Sequence, residues 1–327
     1  MKFGPVPLAQ AGGGILAHSL SLPGGRLRKG RVLGAADLAA LGAAGIAQVV
    51  IARLEDGDMG EDAAALRLAQ ALTAGGPLRL GAAATGRVNI FADAPGVARV
   101  DPARITAANR VDPVISIATV PEWQRMEAGG MVGTVKIIAY GVAAARVEAA
   151  ARAGQGGLSL CPLVRRRGVL IETELPGQAA SDKGASVMAA RMARLGGEML
   201  GHVRVPHTQG AVAAALGEVE ADVVFILTAS ATSDIGDVAP AALVQAGGRV
   251  ETFGMPVDPG NLLFLGELSD VPVIGLPGCA RSPALNGADW VMERVLCGVP
   301  VTQVDIMGMG VGGLLKEIPN RPQPRRG

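Results

Sequence analysis

Aromatic residues are nearly absent: two Trp, one Tyr and five Phe make up 2% of the 327 residues. Without rings to stack on bases, the chain has no platform for single-stranded nucleic acid. An excess of one charge is missing too, since 30 Lys and Arg stand against 29 Asp and Glu for a net of +1. No basic footprint for DNA or RNA follows from that balance. Cysteine is scarce, and Cys161, Cys279 and Cys297 are an odd number without C-x-x-C spacing, which argues against a disulfide framework and a zinc knuckle. The three histidines, His18, His202 and His207, form no H-E-x-x-H pattern, so a transition metal held by side chains is not expected. Long apolar runs are lacking. The stretch Val223 to Leu227 is far short of the roughly 20 residues of a membrane span, so a mean hydropathy of +0.36 belongs to buried strands. Pro5, Pro7 and a Gly run replace the apolar core of a secretory signal, and the expected location is cytoplasmic.

What is present is a large aliphatic core. Hydrophobic types are 49% of the chain and Gly numbers 47, which predicts two or three domains packed mainly with Ala, Val, Leu and Ile. Residues 1–80 read as a small α/β module. It has a helix from about Ala36 to Ala44 stopped by Gly45, then the strand AQVVIARL and a second helix over Glu61 to Leu72 with its acids at the positive end of the dipole. Residues 81–163 read as a β-rich module, with RVNIFA, VISIATV and MVGTVKIIAY as strands and a helix near Ile105 to Val111.

From Val164 the rhythm becomes regular. The basic run Arg165 to Arg167 reads as a solvated linker or strand entry. VLIET, HVRV, DVVFILT and PVIGLPG read as strands. Helices are expected over Asp182 to Met199, Gly210 to Leu216, Ala239 to Ala246 and Ser282 to Cys297. Alternation of buried strands and helices predicts a doubly wound, mostly parallel sheet in an αβα sandwich over residues 164–300, with the loops after its strands gathered at the carboxyl edge. Residues 301–327 form an extension whose Pro/Arg-rich end, PNRPQPRRG, is expected to be extended or disordered.

Three polar loops at that edge are the candidates for chemistry. In TASATSDIGD, the hydroxyls of Thr228, Ser230, Thr232 and Ser233 offer donors to a phosphate or pterin-like ligand, and Asp234 and Asp237 offer oxygens to magnesium or an amine. Asp237 equally reads as a plain N-cap for the next helix. In GLPGCARSPALN, Gly275 and Gly278 allow close backbone approach after Pro277. Arg281 and Ser282 then add to an anion site at the start of the last helix, although a Gly/Pro turn often only turns. Cys279 reads as a small apolar residue. In GMPVDPGN, Asp258 and Asn261 face the same edge, the default being a simple turn. Lys183 opens a helix where its charge opposes the dipole unless an anion is near, and His207 reads as structural.

In their order and spacing over about Val169 to Gly298, TASATSDIGD, DPGNLLFLG and GLPGCARSP resemble the molybdopterin-binding domain shared by molybdopterin molybdotransferases and adenylyltransferases. The segment GGRLRKGRVLGAADLAALGAAGIAQVVIARL is similar to an earlier part of that family. The sequence departs from it at several places: ASAT at Ala229 to Thr232 replaces a Gly-Gly-Thr-Gly run, Asp258 and Asn261 replace lysines, and Cys279 and Ala280 replace Asn-Pro. Among its variants, the sequence is most similar to one fused elsewhere to a molybdenum cofactor cytidylyltransferase-like domain, and these 327 residues contain no such domain.

The resemblance implies molybdopterin or its adenylated or other nucleotide form as ligand. It also implies magnesium at Asp237, which would act in catalysis as a Lewis-acidic site, and a homodimer. Three readings stay open: a molybdotransferase-like enzyme of molybdenum cofactor biosynthesis, a non-catalytic carrier serving a nucleotidyltransferase partner protein, and a related nucleotide-hydrolase domain on the same fold. With no His or Lys base in the loops, an enzyme of this kind works by positioning and electrostatics.

Overall fold

The structure is a computed structural model that describes residues 1–73, 76–177 and 181–315. Contacts divide the chain into two units, one of residues 1–93, 98–124 and 128–160, the other of 94–97, 125–127 and 161–327.

The first unit includes a three-stranded and a four-stranded antiparallel sheet, besides two short two-stranded ones. Strands Lys2–Pro7, Gln48–Arg53 and Ile15–Leu16 form one, and Leu16, Leu33, Leu41, Val49 and Ile51 make a small aliphatic core against helix Ala35–Ala43. Gly45 takes a φ of +73° just past that helix, the left-handed stop its sequence position predicts. Strands Ile115–Thr119, Met131–Ile137, Arg87–Ala92 and Leu78–Leu80 form the other sheet. Helix Glu61–Leu72 packs on it through buried Ala64, Ala65, Leu68 and Leu72. The helix expected near Ile105 begins earlier, at Pro102–Asn109, because the Asp101 side chain accepts from Arg104 N and Pro102 takes the first helical position.

The second unit is built on β1 Arg167–Glu174, α1 Lys183–Ala193, β2 Glu198–Pro206, α2 Gln209–Glu218, β3 Val223–Leu227, α3 Val238–Gln245, β4 Arg249–Met255, β5 Asn261–Leu268, β6 Val271–Leu276 and α4 Gly287–Leu296. The sheet order is β2-β1-β3-β6-β5-β4, and only β5 runs against the rest. This is the α/β, mostly parallel sheet that the alternation predicts. β3 is buried at all five positions, as a central strand covered on both faces must be. On one face α2 and α3 pack Val212, Leu216, Ala242 and Leu243 against Ile171, Ile226, Phe264 and Val273. Each large aliphatic or aromatic side chain among these contributes about 1.5–3 kcal/mol by leaving water.

Two expected helix boundaries need correction. The helix read over Asp182 to Met199 stops at Ala193, because Gly196 adopts a φ of +85° and the chain turns into β2 at Glu198. The last helix starts at Gly287, not at Ser282. Asn286 Oδ1 accepts from Ala288 N at 2.9 Å and Asp289 Oδ2 accepts from Asn286 N at 2.9 Å, a reciprocal cap that fixes the start there. Residues 278–281 form a separate short 3₁₀ turn. The tail read as extended, PNRPQPRRG, lies outside the described residues, as do residues 178–180 of the loop ELPGQAAS.

Arg191 on α1 and Asp289 on α4 form an ion pair at 2.6 Å with side chains only 2% and 1% exposed. Arg191 also donates to the carbonyls of Ala280 at 2.7 Å and Ser282 at 2.9 Å, so it ties the segment after β6 to α1. At the outer strand, Gly168 pairs with Met199 and Val169 with Gly201, which leaves Leu200 as an extra residue in a β-bulge.

Candidate functional site

β3 and β6 end side by side at Leu227 and Leu276, and the β4–β5 hairpin turns at the same carboxyl edge. Strand direction alone therefore brings the three polar loops together. They enclose one cavity of about 280 Å³. Its wall is Thr228, Ala231 and Thr232 from the loop after β3, residues Asp258 to Leu262 from the hairpin, and residues Leu276 to Cys279 from the end of β6.

Of the residues singled out in the sequence, Thr228, Thr232, Asp258, Asn261, Pro277 and Gly278 line this cavity. Thr228 and Thr232 are buried, with their hydroxyls 3.3 Å apart. Asp258 takes a φ of +42° at the hairpin tip, a conformation that Asp tolerates, and Gly260 follows at +97°. A Cβ on Gly278 would point into open space, so the wall there is bare backbone.

Asn261 is the least ordinary member. It is 5% exposed, its Oδ1 accepts from Leu263 N at 3.2 Å, and its Nδ2 is buried without a partner. Most buried polar atoms are satisfied, so an orphan donor beside a cavity points to a missing acceptor.

The remaining expected residues do other work. Ser230, Ser233 and Asp234 are exposed outside the wall. Asp237 Oδ1 accepts from Val238 N at 2.7 Å and Oδ2 from Ser233 N at 3.0 Å, so the carboxylate caps α3 and closes the loop. Asp234 Oδ1 is held by Gly236 N at 2.7 Å. Among the described residues no group of three or more His, Cys, Asp or Glu could hold a metal ion.

Gly275 lies outside the wall, and its missing Cβ accommodates Phe264, whose ring would stand 1.9 Å from that atom. It serves packing between β5 and β6. Ser282 accepts from Arg191 through its carbonyl, and Lys183 is exposed at the first position of α1. Neither Ser282 nor Arg281 lies at the N-terminus of α4, which corrects the anion site expected there.

Sequence reading missed Glu172. It is 7% exposed near the end of β1, where its Oε1 accepts from Arg281 Nη2 at 3.1 Å and its Oε2 lies 2.9 Å from His202 Nε2. The same Arg281 nitrogen donates to Thr228 O at 3.2 Å, which connects this network to the cavity wall. Beside it, Thr173 Oγ1 accepts from Ala229 N at 2.8 Å and lies 2.9 Å from His207 Nδ1, consistent with a structural role for His207. The only signal in the sequence is a carboxylate inside the apolar run VLIET. Cys297 is inert: burial pushes its thiol up to about 12. No helix of the described residues is long and apolar enough to cross a membrane.

Residues 5–53 match the model of a domain of unknown function (DUF8806). A search of curated proteins finds no match. Among solved structures, a molybdopterin biosynthesis MoeA protein from Pyrococcus horikoshii is 13% identical, with 94% of this chain and 76% of that chain covered at a TM-score of 0.30. A molybdenum cofactor biosynthesis protein from Pyrococcus furiosus is 14% identical, with 92% and 66% covered at a TM-score of 0.26.

Proposed function

We propose that the second unit binds molybdopterin, or a nucleotide form of it, in the cavity between the three loops, and that the chain serves molybdenum cofactor biosynthesis as a binding and positioning protein. The observation that carries this reading is the convergence of the three motifs on one cavity with an orphan buried donor, Asn261 Nδ2. The motifs are the same three whose order resembles the molybdopterin-binding domain. Ligands of doubly wound sheets sit outside the carboxyl ends of the strands, where this cavity lies.

The cavity fits part of such a ligand. Drug-sized molecules occupy roughly 300–1,000 Å³, so about 280 Å³ accommodates one end of a phosphorylated pterin and leaves the other outside. A carrier role is favoured over a transferase by the chemistry of the wall, which among the described residues presents no Lys, Arg or His to act as base or to neutralise a transferring phosphoryl group. A nucleotidyltransferase that receives the cofactor is the partner this role calls for.

The test is purification of the full chain from cells that make molybdopterin, followed by mild release and mass spectrometry. A pterin phosphate or pterin nucleotide in stoichiometric amount supports the reading. An unrelated nucleotide, or no pterin under conditions that preserve it, overturns it. Turnover of an adenylated pterin by the purified chain would replace the carrier role with an enzymatic one.

A further inference from the structure

The bulge at Leu200 decides which side chains of β2 share a face. Side chains alternate along a strand, so Met199 and His202, three positions apart, would ordinarily face opposite sides of the sheet. Here Met199 pairs with Gly168 and His202 with Leu170, two positions apart on β1, and the extra residue brings both onto one face. They line a second cavity of about 330 Å³, walled also by Leu170 of β1, Gly201 of β2 and Ala185, Ser186 and Ala189 of α1. It shares no wall residue with the cavity between the three loops.

The His202 ring is held from behind. Its Nε2 lies 2.9 Å from Glu172 Oε2, and the Glu172 side chain, 9% exposed, also accepts from Arg281 at 3.1 Å. A carboxylate only accepts, so Nε2 carries the proton and Nδ1 of the neutral imidazole is an acceptor. Among the described residues Nδ1 has no partner, and unlike the amide of Asn261 it is not sealed off, since the imidazole is 21% exposed. Apart from the Ser186 hydroxyl, the rest of the wall is apolar and mostly small. Gly201, Ala185 and Ala189 leave space for a ring, and a thioether such as that of Met199 makes favourable contacts with one. An apolar cavity of roughly 150 Å³ is enough for benzene, so about 330 Å³ has room for a fused pair of rings.

We propose that this second cavity binds a small aromatic alcohol of the phenol type, with its ring among the apolar side chains and its hydroxyl donating to His202 Nδ1. Glu172 is the positioning residue: it fixes the tautomer and the direction of the imidazole, and its charge makes the far nitrogen a stronger acceptor. The proposal is independent of the pterin reading, because it uses a different set of residues.

Calorimetry and imidazole nitrogen NMR on the full chain test it, with 2-naphthol and 2-methoxynaphthalene as probes. The two share a ring system, and only the first has an O–H to donate. 2-Naphthol should bind at least tenfold more tightly, equivalent to about 1.4 kcal/mol. It should also move the Nδ1 resonance of His202 and leave His18 and His207 in place. Three histidines in the chain keep that spectrum simple, and the signals lost in His202→Phe assign it. His202→Phe keeps a ring and removes the acceptor, so the two probes should come within about twofold of each other.

Equal affinity for the two probes, a His202 signal that 2-naphthol leaves unmoved, or a preference that survives in folded His202→Phe would each overturn the assignment. So would the absence of 2-naphthol binding up to its solubility limit. If His202→Phe does not fold, the affinity ratio and the nitrogen shift in the native chain decide the matter without it.

Discussion

The guanidinium of Arg281 stands 3.1 Å from the buried carboxylate of Glu172, 109 residues away in sequence. The contact ties the loop after β6 to the end of β1. Arg281 is one-third exposed while Glu172 is 9% exposed at its side chain, so removal of the Arg leaves a desolvated carboxylate with His202 as its remaining side-chain partner.

Arg281→Ala should therefore lower stability by about 1–3 kcal/mol, the usual range for a lost hydrogen bond to a buried charge. Urea unfolding measures it. Glu172→Gln in the same background should recover part of the loss by removing the uncompensated charge. A neutral effect of Arg281→Ala on stability would mean that solvent, not Arg281, satisfies Glu172.

Glu293 makes stability depend on pH. Burial first, and the nearby Asp289 carboxylate second, push its carboxyl up to about 7, although Arg125 lies 3.2 Å away. The unfolded chain keeps the ordinary value of 4.5, so between the two values the folded state holds a proton that the unfolded state has released. Stability then falls as pH rises from about 4.5 to about 7, by up to ~3 kcal/mol for this group alone. Glu293→Gln should flatten that dependence and raise stability near pH 8. Denaturant unfolding across this range gives the answer, and an unchanged slope in the variant would assign the pH dependence elsewhere.

Gly275→Ala should destabilise by about 1–3 kcal/mol through overpacking, because the added methyl enters the space of the Phe264 ring. Combining it with Phe264→Leu should restore part of the loss. Strictly additive losses in the double variant would show that the two side chains do not compete for one volume.

Asp237 gives a sharp contrast between capping and metal binding. Asp237→Ala should cost about 1 kcal/mol of stability, and Asp237→Asn only a few tenths, because Asn caps nearly as well. Thermal unfolding with and without magnesium reads both effects. A magnesium-dependent shift in the native chain that Asp237→Asn abolishes would return the carboxylate to a metal-binding role.

Local features of the fold are legible in the sequence and distant ones are hidden. Helix Glu61–Leu72 and the apolar strand Val223–Leu227 announce themselves by periodicity and burial, and the three loops are marked by Gly, Pro and hydroxyl residues beside strands. The start of the last helix is also written locally, as Asn286 and Asp289 three positions apart, but the earlier Ser282 draws the boundary forward. Glu172 with Arg281 and Arg191 with Asp289 join residues 109 and 98 positions apart, and no periodic pattern encodes such pairs. Gly275 is misread for a related reason: a glycine beside a loop looks like room for a ligand until the ring that fills the space is known.

The extra residue at Leu200 sets where the sheet ends. β2 is nine residues long at the edge of its sheet, and an unbroken edge of that length would be a template for further strands. Because the bulge interrupts the even spacing of donors and acceptors, an extended segment from another molecule finds register on only one side of Leu200 at a time. The interruption leaves Glu198 and Met199 before it and Gly201 to Pro206 after it as the two separate stretches of continuous edge.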